Sequence, residues 1–465
     1  MAFLRKADGP YVPGNIDAGL AGYFLSATVK ADGSPSGRRL AYPARHHAYF
    51  ILTFLRYYAY TGEREWLLRA RDLADWNIAN STRADVAVPF LPYSTWSNGK
   101  PGGHQDQNSL EPDKAAFLGN AYLALYEATA ESRYLDAARR MAATLVKHQR
   151  PDGGWAFRVV PEDGNVLQEL GGAPVFFVEF FERMDRHGRD PAFRKAGEKA
   201  LRYMLETNVR KNWWGTYHED VGPKEPTYLS AESVCFTAAY LFRQARAHLE
   251  YAQMGLSVLR PMEERLVHTE KHAAAPAPAV SEQPSCDHIM PGHTARYCLA
   301  LAELYGLTGD DQVRRRALSG LNGTTYMQAP QGIFRTWIYD VKQQSVGKER
   351  PDWYSQHLYT VCHALEMMMH LPELVPAGED HLIGSTVAIR SIDYGRHHVQ
   401  FETGFPSLTV LKLSFEPTVV QSGDVKLRRV DQLGTEQGCW AFESKTGLLR
   451  VNHAAGAVEI LGSAS

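Results

Sequence analysis

The sequence predicts a mainly α-helical protein, built as a closed double ring of helices and followed by a small antiparallel β-sandwich. Three observations lead to this prediction. Two kinds of helix alternate from about residue 10 to residue 372, and a loop-start pattern returns at intervals close to 60 residues. Beyond residue 378, apolar residues recur at every second position. We therefore predict two domains, 1–378 and 379–465.

The helical segments fall into two kinds. The first is apolar on nearly every side, as in "AYFILTFLRYYAY", "AAFLGNAYLALYEATA" and "TARYCLALAELYG". The second is amphipathic, as in "ESRYLDAARRMAATLVKH" and "PAFRKAGEKALRYMLE". Because a helix that is apolar all round is buried all round and an amphipathic helix faces solvent, the alternation predicts an inner ring wrapped by an outer ring. We expect eleven helices after residue 44, and a twelfth from 15–29 that closes the ring.

The connections between these helices differ in length. Turns from apolar to amphipathic helices are short, as in "YTGEREW" and "LTGDDQV", whereas the return connections are roughly 20 to 30 residues long. All of the long connections leave the same end of an antiparallel ring, so we expect them to crowd one mouth. The motif "QRPDGGW", Gln149 to Trp155, opens one of them. Asn208–Trp214 and Gln328–Phe334 repeat its spacing about 59 and 179 residues further on, which indicates repeated structural units.

The segment after residue 378 contains seven or so short runs with a period of two, among them "STVAIRSI", "HHVQFET", "LTVLKLSF" and "VKLRRV". Gly, Pro, Asp and Ser separate the runs, as is typical of strands joined by tight turns. Several short strands within about 85 residues predict a small antiparallel β-sandwich.

Charge and cysteine content exclude several classes of protein. The formal net charge of −2 argues against nucleic acid or an anionic membrane as a partner. The five cysteines never form a CxxC pair, which favours reduced thiols and a cytoplasmic protein. The first residues lack the apolar core of a leader peptide, although a secreted chain that had lost its leader would look the same.

Walker A, GxGxxG, HExxH and Cys/His cluster motifs are missing from the sequence, so we predict neither a cofactor nor a metal.

The repeated hairpins, the "QRPDGGW" loop start and the appended β-sandwich together resemble the six-hairpin, (α/α)6-toroid carbohydrate-active enzymes. That superfamily includes glycoside hydrolases, uronate-glycan lyases, unsaturated glucuronyl hydrolases and sugar 2-epimerases. The chain lacks the paired-aspartate pattern of the unsaturated glucuronyl hydrolases. The segments "WIYD" and "DWYSQHLY" are similar to a Tyr-rich stretch of glucuronyl C5-epimerases. The resemblance implies an enzyme that acts on an oligosaccharide or polysaccharide.

Glycoside hydrolysis requires a carboxylic acid to protonate the leaving oxygen and a second carboxylate that activates water or attacks the sugar. Asp287, which precedes an apolar helix, is the predicted acid, and Asp113 or Glu111 is the predicted partner. The stretch "SLEPDKAAF" is also a strong helix start, with Ser109 as a potential cap, so its two acids have an alternative role in capping. Elimination or epimerisation instead requires a Tyr or His base, for which Tyr339 and His293 are candidates.

Further residues around the predicted mouth are candidates for holding the substrate. Arginine can bind a uronate carboxylate through its planar fork, although a salt bridge between neighbouring inner helices is an equally good expectation. Indole rings can stack on sugars, and imidazoles and phenols can bond to hydroxyl groups. The predicted substrate-binding residues are Arg45, His46, His104, Trp213, His218, Tyr228, Arg335, Trp337, Tyr354 and His357.

Three functions follow as hypotheses. The leading one is hydrolysis of a glycosidic bond, in a glycan that contains uronic acid. The second is β-elimination or epimerisation with a Tyr or His base and an arginine that neutralises the carboxylate. The third is glycan binding without catalysis, since a fold alone does not imply activity. The sequence leaves the oligomeric state open.

Overall fold

In the computed structural model, the described residues are 40–97, 100–102, 108–215, 225–269, 277–328 and 354–463, with short stretches at 28–29, 35–36, 332, 334, 339–340 and 345–346. Eleven α-helices lie in this part of the chain. Six form the inner ring: α1 His46–Thr61, α3 Pro112–Thr129, α5 Val175–Gly188, α7 Ala231–Gln244, α9 Pro291–Thr308 and α11 Tyr354–Met367. Five form the outer ring: α2 Arg64–Ala79, α4 Ser132–Lys147, α6 Pro191–Met204, α8 Glu250–Leu266 and α10 Asp311–Thr325.

Burial separates the two rings as the sequence predicts. Helices α3 and α9 are buried along nearly their whole length, whereas α4 and α6 bury one face only. Each inner helix packs against the next, and α11 packs against α1, which closes the ring. The predicted twelfth helix, 15–29, lies almost entirely outside the described residues. Its last two residues, Thr28–Val29, form a strand (β1), so the prediction is wrong there.

Short left-handed turns join four of the inner helices to their outer partners, whereas α7 ends at Ala245 with φ of −65°. Gly62, Ala130, Arg189 and Gly309 end α1, α3, α5 and α9 with φ of 75°, 59°, 48° and 69°. Each donates its backbone N–H to a carbonyl of the preceding turn, which satisfies an end group of the helix. Because these turns are tight, all six inner helices begin at the same end of the toroid, where the long connections also lie.

The repeated loop starts have an architectural role. The side-chain amide of Gln149 donates to the carbonyl oxygens of Gly153 and Ala196, at 2.9 and 3.0 Å, and so closes the turn after α4. Asn208 and Gln328 close the corresponding turns with the same kind of bond. Trp155 stacks on Phe177 of the next inner helix, with the ring centroids 3.9 Å apart.

Short strands line the connections. They are β1 Thr28–Val29, β2 Pro35–Ser36, β3 Leu40–Ala41, β4 Trp96–Ser97, β5 Lys100–Pro101, β6 Arg158–Val159, β7 Val166–Gln168, β8 Val267–His268, β9 Ala279–Gln283, β10 Cys286–Ile289, β11 Tyr339–Asp340 and β12 Ser345–Val346. Strands β8 to β12 form one sheet, which places the hairpin β9–β10 immediately before α9.

The C-terminal domain is a sandwich of two five-stranded sheets. One has the order β13-β16-β21-β20-β19 and the other β14-β15-β22-β17-β18. The strands are β13 His381–Ser385, β14 Ile389–Gly395, β15 His398–Thr403, β16 Ser407–Lys412, β17 Glu416–Ser422, β18 Val425–Lys426, β19 Arg428–Arg429, β20 Cys439–Glu443, β21 Leu448–His453 and β22 Gly456–Ser463. All the pairings are antiparallel except that of β19 with β20.

The sandwich lies against the end of the toroid that carries the short turns. Glu127, near the end of α3, accepts hydrogen bonds from Arg183, from His187 and from the backbone N–H of Ala388 in the sandwich. The imidazole of His381 stacks on Tyr60 with the ring centroids 3.8 Å apart. The opposite end of the toroid is therefore the one at which a mouth is predicted. Among the described helices, none is long and apolar enough to cross a membrane.

Candidate functional site

A layer of aromatic rings crosses the interior of the toroid below the start of the inner helices. Its members, which we call the aromatic floor, are Tyr49, Phe117, Phe176, Phe236, Tyr359 and His363. Successive rings around this layer lie 4.4 to 5.7 Å apart between centroids. Five of the six inner helices contribute, and the remaining one, α9, places the guanidinium of Arg296 over the Tyr359 ring at 4.1 Å. The floor separates the mouth from the lower interior.

Directly above the floor, one carboxylate binds two guanidinium groups. Glu232, in the first turn of α7, is fully buried and accepts a hydrogen bond from Arg45. Its other oxygen lies 3.0 Å from Arg296 and accepts from the Tyr49 hydroxyl at 2.9 Å. Burial alone would lower the pKa of Arg296, but the nearby Glu232 carboxylate outweighs burial and raises it. Three inner helices, α1, α7 and α9, thus meet at a single charged centre.

His293 lies beside this centre, in the first turn of α9, and is fully buried. Arg296 can only donate, so its 3.0 Å contact makes Nδ1 of His293 an acceptor. The other nitrogen, Nε2, then carries the proton and lies 3.4 Å from Glu282 of β9. Burial lowers the pKa of His293 to about 4, although Glu282 opposes this shift. The imidazole is therefore neutral at pH 7.

A second buried imidazole lies on the neighbouring inner helix. His357 is 2 % exposed, and its ring is 5.6 Å from Phe334. Burial lowers its pKa to about 3, so it too is neutral at pH 7. His46, in the first turn of α1, is partly buried between Tyr42 and Tyr359. Three of the six inner helices thus present an imidazole at the mouth end.

Glu111 and Asp113 flank the start of α3 in different settings. Glu111 is the N-cap residue and lies 2.7 Å from Lys114, with both side chains 1 % exposed. Asp113 accepts a hydrogen bond from the backbone N–H of Ala173 at 2.9 Å, and its burial raises its pKa. The helix begins at Pro112 with Glu111 as its cap, so the prediction of Ser109 as the cap is wrong.

Asp287 lies outside this buried group. It belongs to β10, where its carboxylate is partly exposed and 3.8 Å from Nε2 of His268. Tyr228 donates a hydrogen bond to Ser285 in the turn of the same hairpin. Trp213 is 39 % exposed in the connection that follows α6, with Nζ of Lys211 4.8 Å from the centre of its ring. These three predicted residues therefore line the connections rather than the inner-helix starts.

Other predicted residues fall outside the described part of the chain. They are His104, His218, Arg335 and Trp337. The backbone of Tyr339 pairs with that of Ile289 in the sheet formed by β8 to β12, and Tyr354 is the first residue of α11.

Sequence reasoning did not single out Tyr49 or Tyr359, although both shape the buried centre. Their hydroxyls lie one turn inside helices that are otherwise apolar, and this is a recognisable signal for a buried polar role. Arg296 of α9 forms a salt bridge with Glu232 of the neighbouring α7, which is the alternative role expected for an arginine at the mouth. Arg45 contacts the same carboxylate from α1, which is not a neighbour of α7 in the ring.

Comparison with known proteins identifies the fold. No protein-family model matches the chain, and no curated protein matches it in sequence. Among solved structures, it is similar to cellobiose 2-epimerase from Spirochaeta thermophila (TM-score 0.57, 14 % identity, 76 % of this chain and 90 % of that one). It is also similar to a D-mannose isomerase (0.59, 13 %, 78 % and 94 %) and to an unsaturated glucuronyl hydrolase specific for heparin (0.53, 13 %, 80 % and 95 %). These proteins are (α/α)6-toroid enzymes that process carbohydrates, and the predicted toroid is confirmed.

Proposed function

We propose that the protein is a carbohydrate-processing enzyme that moves a proton at the carbon next to the carbonyl group of an open-chain sugar. Such a step interconverts epimers at C2 or an aldose and a ketose. The observation that carries the proposal is a pair of buried, neutral imidazoles: His293 beside the Arg45–Glu232–Arg296 centre, and His357 in the first turn of the neighbouring α11. Two of the similar structures, cellobiose 2-epimerase and D-mannose isomerase, are named for reactions of this kind.

The reaction requires a base for a carbon-bound proton and a positive environment for the enolate that forms. A neutral imidazole can take up the proton, whereas an imidazolium cannot. The six inner helices begin around the site, and helix N-termini carry partial positive charge that stabilises a developing oxyanion. Arg45 and Arg296 add two fixed positive charges within the same layer. His357 of α11 then supplies the base, and the Nε2–H of His293 on α9 supplies the acid, for exchange between the two faces of the carbon.

The carboxylates are less well arranged for the leading prediction, hydrolysis. Both oxygens of Glu232 are held by guanidinium or hydroxyl donors, and Glu111 is paired with Lys114. Asp287 lies on the hairpin before α9, where its carboxylate is partly exposed and contacts His268, outside the buried centre. One observation still favours hydrolysis: burial raises the pKa of Asp113, as suits a general acid. Cleavage of a uronate-containing glycan is therefore the second candidate function.

Proton exchange separates the two functions. The protein would be incubated in D2O with glucose, mannose and cellobiose, and the products followed by NMR. Transfer at C2 predicts deuterium at that carbon and a new epimer or ketose, without a new reducing end. Hydrolysis predicts new reducing ends from an oligosaccharide panel and no deuterium at C2. The second pattern alone would overturn the proposal.

A further inference from the structure

A second polar region lies on the other side of the aromatic floor. A cavity of about 1040 Å³ separates the C-terminal ends of the inner helices from the sandwich. Tyr49 and His363 of the floor border it from above, and Ile383 and Arg450 of the sandwich border it from below. The mouth and this cavity are thus separate regions, and the proposed reaction uses only the first.

Three side chains that commonly bind metals converge on this cavity from α11. Cys362, His363 and Glu366 each offer a ligand atom, and these atoms all lie within 4.8 Å of one another. Nδ1 of His363 is 3.7 Å from the Glu366 carboxylate. Zinc bond lengths of about 2.0 to 2.3 Å place tetrahedral ligand atoms about 3.3 to 3.8 Å apart, so little movement is required.

His363 provides an independent sign of a missing ligand. Its side chain is 1 % exposed, and within the described part of the chain neither ring nitrogen has a hydrogen-bond partner. Its nearest carboxylate, that of Glu366, lies 3.7 Å from Nδ1, beyond hydrogen-bond distance, and its ring contacts are with Tyr49 and Phe236, at 5.7 and 5.6 Å. A buried polar group without a partner is unfavourable, and such exceptions in native proteins call for an explanation such as an ion.

A cationic group already contacts two of the three ligands. Nη1 of Arg56 donates to the Cys362 sulfur at 2.8 Å, and Nη2 lies 3.2 Å from Glu366. The Arg56 side chain is 32 % exposed and borders the cavity, so it has space into which it can withdraw. The adjacent C-terminal end of α11 also favours positive charge. The position thus favours a cation, and Arg56 competes for it.

We infer that Cys362, His363 and Glu366 form a binding site for a thiophilic divalent cation such as Zn²⁺, in competition with Arg56. Sulfur, nitrogen and oxygen ligands in this combination suit zinc, and the cavity leaves the fourth position open to water. On binding, Cys362 releases its thiol proton to solvent, the sulfur bonds to the metal, and the Arg56 guanidinium moves into the cavity. Because this site lies below the floor, its metal does not contact the substrate.

Cobalt titration tests this inference directly. Co²⁺ would be added to the metal-free protein, and the thiolate-to-cobalt absorption band recorded. We expect a saturable band of one equivalent that Zn²⁺ displaces. Cys362→Ser should abolish the band, and His363→Gln should weaken binding at least about tenfold. Cys298→Ser, which alters a buried cysteine outside the cluster, should leave the absorption band and the affinity for Co²⁺ unchanged.

The Arg56→Gln variant provides a result of opposite sign. Removing the competing charge should tighten Co²⁺ binding about tenfold, whereas a merely structural ion-pair network would lose stability without gaining a metal. Circular dichroism of each variant would show that it is folded. A thiolate band that is absent in both the native protein and Arg56→Gln would overturn the inference. So would a band that survives in Cys362→Ser.

Discussion

Tyr49 donates its hydroxyl proton to Glu232 at 2.9 Å, while its ring forms part of the aromatic floor. The same hydroxyl oxygen accepts from Nε of Arg296 at 3.2 Å. A single side chain therefore connects the hydrophobic packing of the inner ring to its charged centre. The orientation of both charged groups depends on how the aromatic layer is packed.

Replacing Tyr49 with Phe keeps the ring and removes the hydroxyl. Arg296 then loses an acceptor and Glu232 a donor, in a buried setting where an unsatisfied polar group is costly. We expect the free energy of unfolding to fall by about 1 to 3 kcal/mol. Denaturant unfolding measures this, with Tyr326→Phe, which changes an exposed tyrosine, as the control. Equal stability of the two variants would contradict the described role of the hydroxyl.

Glu232→Gln should be more damaging than the loss of any surface carboxylate. It leaves Arg45 and Arg296 buried without the carboxylate that they share, and removing one partner of a buried ion pair costs about 3 to 5 kcal/mol. Glu436→Gln, which breaks an exposed pair with Arg428, should cost about 0 to 1 kcal/mol. Thermal unfolding of both variants provides the comparison. Similar losses would show that the central ion pairs are not strongly coupled to the fold.

Glu127 should make the toroid–sandwich contact sensitive to acid. Burial alone would raise its pKa, but Arg183 and His187 outweigh burial and lower the pKa from 4.5 to about 2. A carboxyl group with a lowered pKa stabilises the fold above its unfolded pKa, and this stabilisation is lost as the pH falls from about 4.5 towards 2. The contribution is about 3 kcal/mol. Melting curves between pH 5 and 2.5 should fall less steeply for Glu127→Gln than for the native protein, and parallel curves would refute this.

Asp287→Asn distinguishes the two candidate functions. The carboxylate lies on the hairpin beside His268 and outside the Arg45–Glu232–Arg296 centre, so the proposed proton transfer should keep its rate within about threefold. Asp113→Asn serves as the companion variant, because the amide oxygen of the substituted side chain can still accept from the Ala173 N–H. If both variants lose all hydrolytic turnover of an oligosaccharide panel, hydrolysis would replace proton transfer as the favoured function.

The helical architecture was predictable because it depends on local patterns. Periodicity separates inner from outer helices, and the turn at Gly309 is recognisable from "LTGDD". The sandwich was harder to read. Strand β17 was not predicted, because it contains Pro417, a residue that disfavours strands. The segment "VKLRRV" is one run in the sequence but forms two strands, β18 and β19, which belong to different sheets.

The candidate site was only partly predictable, since it depends on which helices meet. The sequence places Arg45, His293 and His357 at helix starts, which the structure shows. It contains no signal that Arg45 and Arg296 converge on Glu232, because these residues are 187 and 64 positions from it along the chain. Asp287 was expected simply to precede a helix. Its place in a strand depends on pairing with Tyr339–Asp340, some 50 residues later.

Deuterium exchange at C2 in the native protein, His293→Asn and His357→Asn tests the central claim most directly. The native protein should incorporate deuterium from D2O into an aldose, at a rate that rises with pH through about 3, where His357 loses its proton, and is then constant. Each variant should be slower by about 10² to 10⁴-fold while remaining folded. Exchange at the native rate in both variants would contradict the proposed role of the two imidazoles.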